Sequence, residues 1–491
     1  MELTYIPLLA VLVSLAAVPL ILLSSNKPNL REFWTILAGV IKFSLVLTLL
    51  PSALDGEAVK FTLLEIAPNL PLVLEADSFG VFFAIIASGL WIFTSFYSIG
   101  YMRGHDEKKQ TRYFASFAIC LSSTIGIAFS GNLLTFIIFY EMLTLATYPL
   151  VIHNENKKAI AAGRKYLTYT LTAGLLLIAA AGITYSITGT LDFKAGGIFG
   201  DVELSHSMAI TIFLLFLGGV GVKAGIMPLH SWLPSAMAAP TPVSALLHAV
   251  AVVKSGVFGV IRMVGFIFGP DVMASFGLNE ILMVLAGFTI IVASLLAFAQ
   301  DNLKRRLAYS TVGHLSYIVL GAALLTQTGL VGSIMHISTH ATMKITLFFC
   351  AGAIMVNLHK KNISDLNGIA EVMPWTMAAF TIGSMGLAGI PPINGFVSKW
   401  YLGAGALEGE MMIPLIILII SGVFNVGYFF PIIHRAYFKE AGPELEGHTE
   451  ASPFMVVPLM GTAILSVLLG IFPDLFFNFF DLATEIASTI F

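Results

Sequence analysis

Charge is scarce in this sequence, cysteine is nearly absent, and neither sign of charge dominates. Of 491 residues only 11% are charged, while 57% are hydrophobic. A soluble domain carries about 25% charged residues, so the composition excludes an ordinary soluble protein and indicates an integral membrane one. A net charge of −3 gives no reason to expect nucleic acid as a partner. Cys120 and Cys350 both lie in apolar runs, which excludes a disulfide framework and a four-thiolate cluster site. No basic stretch precedes the first apolar run, and no small-residue cleavage site stands out after it. That run reads as a retained helix. The alternating polarity of a membrane β-barrel is missing as well.

What is present is a succession of long apolar runs. They begin near Tyr5, Phe33, Asp77, Arg112, Leu133, Arg164, His206, Val243, Gly277, Leu307, Thr328, Pro374, Met411 and Pro453. About 20 apolar residues cross a bilayer as a helix. The expectation is an all-α polytopic membrane protein with about fourteen transmembrane helices. The distribution of basic residues tests that count independently. Loops following odd-numbered helices hold Lys27, Arg31, Arg103, Lys108, Lys109, Arg112, Lys157, Lys158, Arg164, Lys165, Lys304, Arg305, Arg306, Lys360, Lys361, Arg435 and Lys439. Loops following even-numbered helices hold only Lys60 and Lys194. The odd loops are therefore expected in the cytoplasm and both termini on the outer face of the cell (plasma) membrane.

Four stretches follow from this layout. Residues 1–111 hold helices 1–3, 112–267 a first block of five (helices 4–8), 277–438 a second block (helices 9–13), and 453–491 helix 14 and a tail. Residues 55–76 read as a small outward cap. The fourth helix of each block is interrupted, by Pro228 in the first and by Pro391-Pro392 in the second. Proline removes a backbone donor and clashes with the preceding turn. Within a membrane such a break is tolerated only where protein or a polar cavity covers it. Paired breaks in two odd-numbered blocks point to two inverted five-helix repeats, a transporter layout.

Glu141, Lys223, Lys254, Lys344 and Lys399 each sit inside an apolar run. A charge at the bilayer centre costs at least about 2.5–3.5 kcal/mol, and residues placed there usually mark an ion path. Glu141 is the only acid so deeply placed; it either sets the proton affinity of a lysine or forms a static ion pair. Lys223 lies one turn before the first break. Burial disfavours a lysine's charged form and a nearby carboxylate restores it, so a Glu141–Lys223 pair has the makings of a switch. His248 and Lys254, six residues apart, fall about 240° apart on a regular helix and do not share a face. His248 is as readily a packing histidine as a relay group. His336, His340 and Lys344 recur at i, i+4 and i+8, which stacks them on one face as a proton relay would. Stacked histidines on one helix cannot clamp opposite faces of a haem, and no nicotinamide, flavin, quinone or cluster fingerprint is present; no cofactor is expected. Lys399 follows the second break, within the membrane or reaching its outer interface. Lys42 snorkels or faces a partner, and His314, soon after the basic loop of Lys304, Arg305 and Arg306, is an entry group or part of the interface.

Together these residues resemble the antiporter-like subunits shared by respiratory complex I, Mrp-type sodium/proton antiporters and membrane-bound hydrogenases. The matching stretches are Phe139–Glu141, Gly221–Pro234, Ala239–His248, Asp301–Ser310, His336–Lys344 and Gly389–Lys399. The resemblance covers nearly the whole chain and is most specific from Gly221 to His248. It implies that Glu141 and Lys223 form the pair of a first half-channel. Lys254 would connect the halves, His336, His340 and Lys344 would extend the polar axis, and Lys399 would serve the exit. Lys399 stands where some relatives carry an acid. The chain ends soon after helix 14 and so looks like the shorter, D-type Mrp protein. The implied function is proton translocation within a hetero-oligomeric membrane complex. Sodium exchange or redox chemistry would be supplied by partner subunits. The rival readings are a self-sufficient cation/proton transporter and an inactive scaffold.

Overall fold

The computed structural model describes residues 3–67, 70–200 and 202–491. Helices α1 (Ile6–Leu23) and α2 (Pro28–Leu47) come first. A hairpin of β1 (Val59–Ala67) and β2 (Leu70–Ala76) follows, then α3 (Ser78–Gly104), α4 (Gln110–Ala128), α5 (Leu133–Val151), α6 (Lys157–Thr188) and α7 (His206–Ala224). A long interrupted helix, α8, spans Thr241–Phe268. Beyond it lie α9 (Leu278–Phe298), α10 (Leu303–Ala323), α11 (Gln327–Leu358), α12 (Pro374–Ala388), α13 (Asn394–Glu408), α14 (Met412–Phe438), α15 (Pro453–Ile471) and α16 (Phe479–Ile490). Among the described residues, ten helices are long and apolar enough to cross a membrane. Large apolar side chains such as Ile413 and Val284 point outward, 74% and 71% exposed, as on a surface facing lipid.

The all-α expectation is corrected at the hairpin. Val59 pairs with Ala76 and Lys60 with Glu75 in an antiparallel register. Residues 59–63 alternate apolar and polar side chains, and the segment is too short to span as a helix, so strand pairing satisfies its backbone. Leu74 and Ala76 are buried. Gly131 N–H donates to the Val73 carbonyl and the Asn132 amide to that of Pro71. These bonds seat the hairpin on the start of α5.

The tail also departs from expectation. Phe479, Leu482, Ala483, Ile486, Ala487 and Ile490 are buried on one stripe of α16. This is an amphipathic helix too short to be read as a span. It packs on α3 and α11.

The core is built around α11. Every residue from Gly329 to Ile354 is buried, although the segment carries histidines, a lysine and several hydroxyls. A helix enclosed on all sides with polar groups inside needs partners from its neighbours. α8, α10, α12, α13 and α15 pack around it.

Candidate functional site

The two sequence breaks are local unwindings with satisfied backbone. α7 ends at Ala224, and Gly225 follows with φ +70°. The freed Val222 carbonyl accepts the Trp232 indole N–H at 2.8 Å, and Met227 N–H donates to Thr289 Oγ1 of α9 at 3.0 Å. α12 ends at Ala388 with Gly389 at φ +89°. Here the freed Leu387 carbonyl accepts from Lys399 Nζ at 2.6 Å and from the Asn425 amide at 3.3 Å. The Met227–Pro228 and Pro391–Pro392 peptide bonds are both cis.

Lys223 is fully buried. Its Nζ donates to the Tyr140 carbonyl at 2.6 Å and stands 3.4 Å from the centre of the Tyr140 ring. It thus reaches α5 at the residue next to Glu141, but no ion pair joins it to Glu141 among the described residues. Glu141 Oε1 is buried without a hydrogen-bond partner. The carboxylate fits because Gly174 of α6 has no side chain; a Cβ there would occupy its place.

α8 is less regular than its sequence indicates. A π turn runs from Leu246 to Val250 and a second from Met263 to Phe268. The first contains His248 and ends before Lys254, so the 240° separation of a regular helix does not apply. Both residues face α11. Lys254 Nζ lies 2.9 Å from His340 Nδ1, and the His248 ring lies 5.0 Å from that of Phe348. Both His248 ring nitrogens are buried and unpartnered.

The His336–His340 spacing is as expected, with ring centroids 6.1 Å apart. The ladder is not confined to one helix, however. His314 of α10 places Nδ1 3.2 Å from His336 Nε2, and its ring centroid lies 5.6 Å from that of His340. His314 is buried in this core and is not an interfacial residue. His336 Nδ1 continues to Ser398 Oγ at 2.8 Å, and Ser398 to Thr339 Oγ1 at 3.0 Å. Lys344 leaves the ladder and donates to Ser310 Oγ at 2.8 Å. Tyr428 O–H donates to the same Ser310 oxygen at 3.0 Å and contacts Asn425 Oδ1. Asn425 and Lys399 share the Leu387 carbonyl. A chain of contacts therefore connects Lys344 to Lys399 through Ser310, Tyr428 and Asn425, on four helices. Lys399 Nζ also stands 5.2 Å from the Tyr317 ring, which stacks on His314 and His336.

Sequence reasoning placed His314 near the cytoplasmic interface and missed Ser310, Ser398, Asn425 and Tyr428. A polar side chain in an apolar run was the available signal, but hydroxyls and amides are common enough in membrane helices to carry little information. Lys42 does not snorkel. It is fully buried and donates to Ser14 Oγ of α1. Arg262, given no role by the sequence, makes a bidentate ion pair with Asp77 at 2.6 and 2.7 Å. The rings of Phe79, Phe193, Phe258 and Phe266 surround its guanidinium at 4.5–5.3 Å. Asp77 caps α3, so this pair is a clasp between α3 and α8.

Comparison with known proteins agrees with this architecture. Residues 130–425 match the family described as NADH:quinone oxidoreductase/Mrp antiporter, transmembrane. The chain is 29% identical to NADH-quinone oxidoreductase subunit N of Desulforudis audaxviator, with 96% of each chain covered. It is 27% identical to the D-type component of the Na(+)/H(+) antiporter of Alkalihalophilus pseudofirmus, with 90% of each covered. Its fold matches a chain of the Mrp complex from Dietzia sp. DQ12-45-1b with a TM-score of 0.90 at 21% identity, covering 100% of this chain and 98% of that one. Because the family match spans more than half of its length, the chain belongs to the NADH:quinone oxidoreductase/Mrp antiporter family of transmembrane proteins.

Proposed function

We propose that this chain is a proton-translocating subunit of a multisubunit ion-pumping membrane complex. The observation that carries the reading is the buried run of protonatable groups. Lys254 meets His340, His314 meets His336, and Lys344 connects to Lys399. Neutral and charged forms of such groups interconvert by moving protons along hydrogen bonds. Among the described residues no hydrogen bond joins Lys223 to Lys254, so Glu141 and Lys223 stand apart as the controlled step. A neighbouring subunit moves Glu141 toward or away from Lys223, and Lys223 accordingly holds or releases its proton. Protons then pass along Lys254 and the α11 face and leave near Lys399. His248, with both nitrogens free, is a side station of the same path.

The finer architecture belongs to the same proposal. The chain makes fourteen passes in the plasma membrane, with both termini outward. α2, α4, α10 and the α12–α13 pair supply the passes beyond the ten long apolar helices. Two inverted five-helix repeats are supported by matched details. α6 and α11 are both 32 residues long. Asn132 and Asn302 each cap the helix before these and form isolated bridges, to Asp192 and Asn362, beyond their far ends. The test is to replace Glu141 or Lys223 by alanine in the assembled complex and measure ion pumping. Loss of pumping is expected in each case, and unchanged pumping in both variants would overturn the mechanism. Ion transport by the purified chain alone in liposomes would favour a self-sufficient transporter instead.

A further inference from the structure

The loops after α3, α5, α7, α9 and α11 converge on a cavity of about 740 Å³. On the proposed topology it opens to the cytoplasm. Lys158, Lys165, Lys304, Arg305 and Lys361 line it. None of the five has an acidic partner among the described residues. Lys360 also lines the cavity, but it is paired with Glu444 at 3.1 Å. Of the two acids nearby, one is engaged by cations and the other has only long contacts to histidines. Glu155 binds Lys109 and Arg112. Glu107, the single acid in the lining, stands 3.6 Å from His105 Nδ1 and 3.7 Å from His153 Nε2. Burial holds the Glu107 carboxyl above its ordinary value, which weakens even this counter-charge.

Two helix N-termini add to the positive field. α6 and α10 begin at the cavity, and their caps, Asn156 and Asn302, are part of its lining. Each helix start carries roughly half an elementary positive charge. Like charges gathered without an anion repel one another. The preference for basic residues in cytoplasmic loops accounts for their number. It does not require them to face one concavity when bulk water is available. The volume falls within the range of about 300–1,000 Å³ typical of ligand sites. Phosphate is the anion that lysine, arginine and helix N-termini jointly favour.

We propose that this cavity binds a phosphate-bearing anion, either a soluble oligophosphate or the headgroup of an anionic lipid. The site is independent of the proton path, and its failure would leave the translocation reading intact. The test uses the full chain in phosphatidylcholine nanodiscs. One arm titrates inorganic pyrophosphate by calorimetry at two salt concentrations. The other adds phosphatidylglycerol and follows lipid retention by native mass spectrometry. Saturable, salt-sensitive pyrophosphate binding assigns the soluble source, and phosphatidylglycerol retention the lipid source. The double variant Lys165→Ala/Arg305→Ala is expected to weaken binding about tenfold or more, while Lys165→Arg keeps it. Should the double variant fail to fold, Lys158→Gln with Lys361→Gln takes its place. Absence of binding in both arms, or equal binding by the variants, overturns the proposal. So does capture of an acidic peptide in place of either phosphate probe.

Discussion

The two halves of the buried polar system differ in how far they are already connected. Around α11, each charged or imidazole group but His248 touches another polar group, and the contacts run across α8, α10, α13 and α14. In the first half, Glu141 has a buried oxygen with no partner, and Lys223 settles for a backbone carbonyl. An unpartnered buried polar atom is costly, and the α11 side has such atoms too, in His314 Nε2, His340 Nε2 and both His248 nitrogens; the difference between the halves lies in connection. On the proposed mechanism, the contrast separates a path that is preassembled from a contact that is made and broken.

Beyond replacement of Glu141 or Lys223 themselves, the largest expected effect comes from cutting the preassembled side at its first contact. Lys254→Ala is expected to lower pumping by the assembled complex about a hundredfold, the scale of losing a positioned acid–base group. Lys42→Met, which removes an equally buried lysine outside the path, should leave the rate unchanged. Equal losses in the two variants would show that buried charge as such matters, and not connection. His314→Gln removes a junction between His336 and His340 and is expected to cost about tenfold, less than the roughly hundredfold or more of a group that itself transfers the proton.

The switching side is probed through Glu141's space. Gly174→Ala puts a methyl group where the carboxylate now lies and should slow pumping about tenfold by displacing it. Gly182→Ala on the same helix meets nothing within 4 Å and serves as the control. A smaller effect is expected from Tyr428→Phe, which removes one hydrogen-bonding hydroxyl between Lys344 and Lys399. About 1 kcal/mol, or roughly fivefold in rate, is the expected loss. Rates within error of the parent would remove Tyr428 from the path.

The smallest effect lies outside both halves. His153 lies 3.7 Å from Glu107 of the basic cavity, and burial, helped by Arg112, pushes its imidazole down to about 4. It is neutral in the folded protein at pH 7, so its approach to Glu107 is a polar contact there and not an ion pair. An unfolded histidine binds its proton near pH 6.5. Between about pH 6.5 and 4 the unfolded chain therefore holds more protons, and stability falls as pH falls through that window. His153→Gln should flatten this slope in thermal unfolding measured between pH 7 and 5. An unchanged slope would show that other groups carry it.

Composition and local pattern were enough for the membrane setting, the places of the helices, the two breaks and the identity of the buried charges. Burial of charge is so costly that a lone lysine in an apolar run is conspicuous without any structure. Proline acts through its own ring and missing N–H, so its breaks are equally local. The hairpin and α16 escaped because both are short and only partly apolar. Connection is a matter of packing alone. Lys254 and His340 are 86 residues apart, and Tyr428 and Ser310 are 118. Whether such groups touch depends on how helices rotate and pack, and a single π turn in α8 was enough to bring His248 and Lys254 against the same neighbour. The same packing left one Glu141 oxygen that nothing satisfies among the described residues.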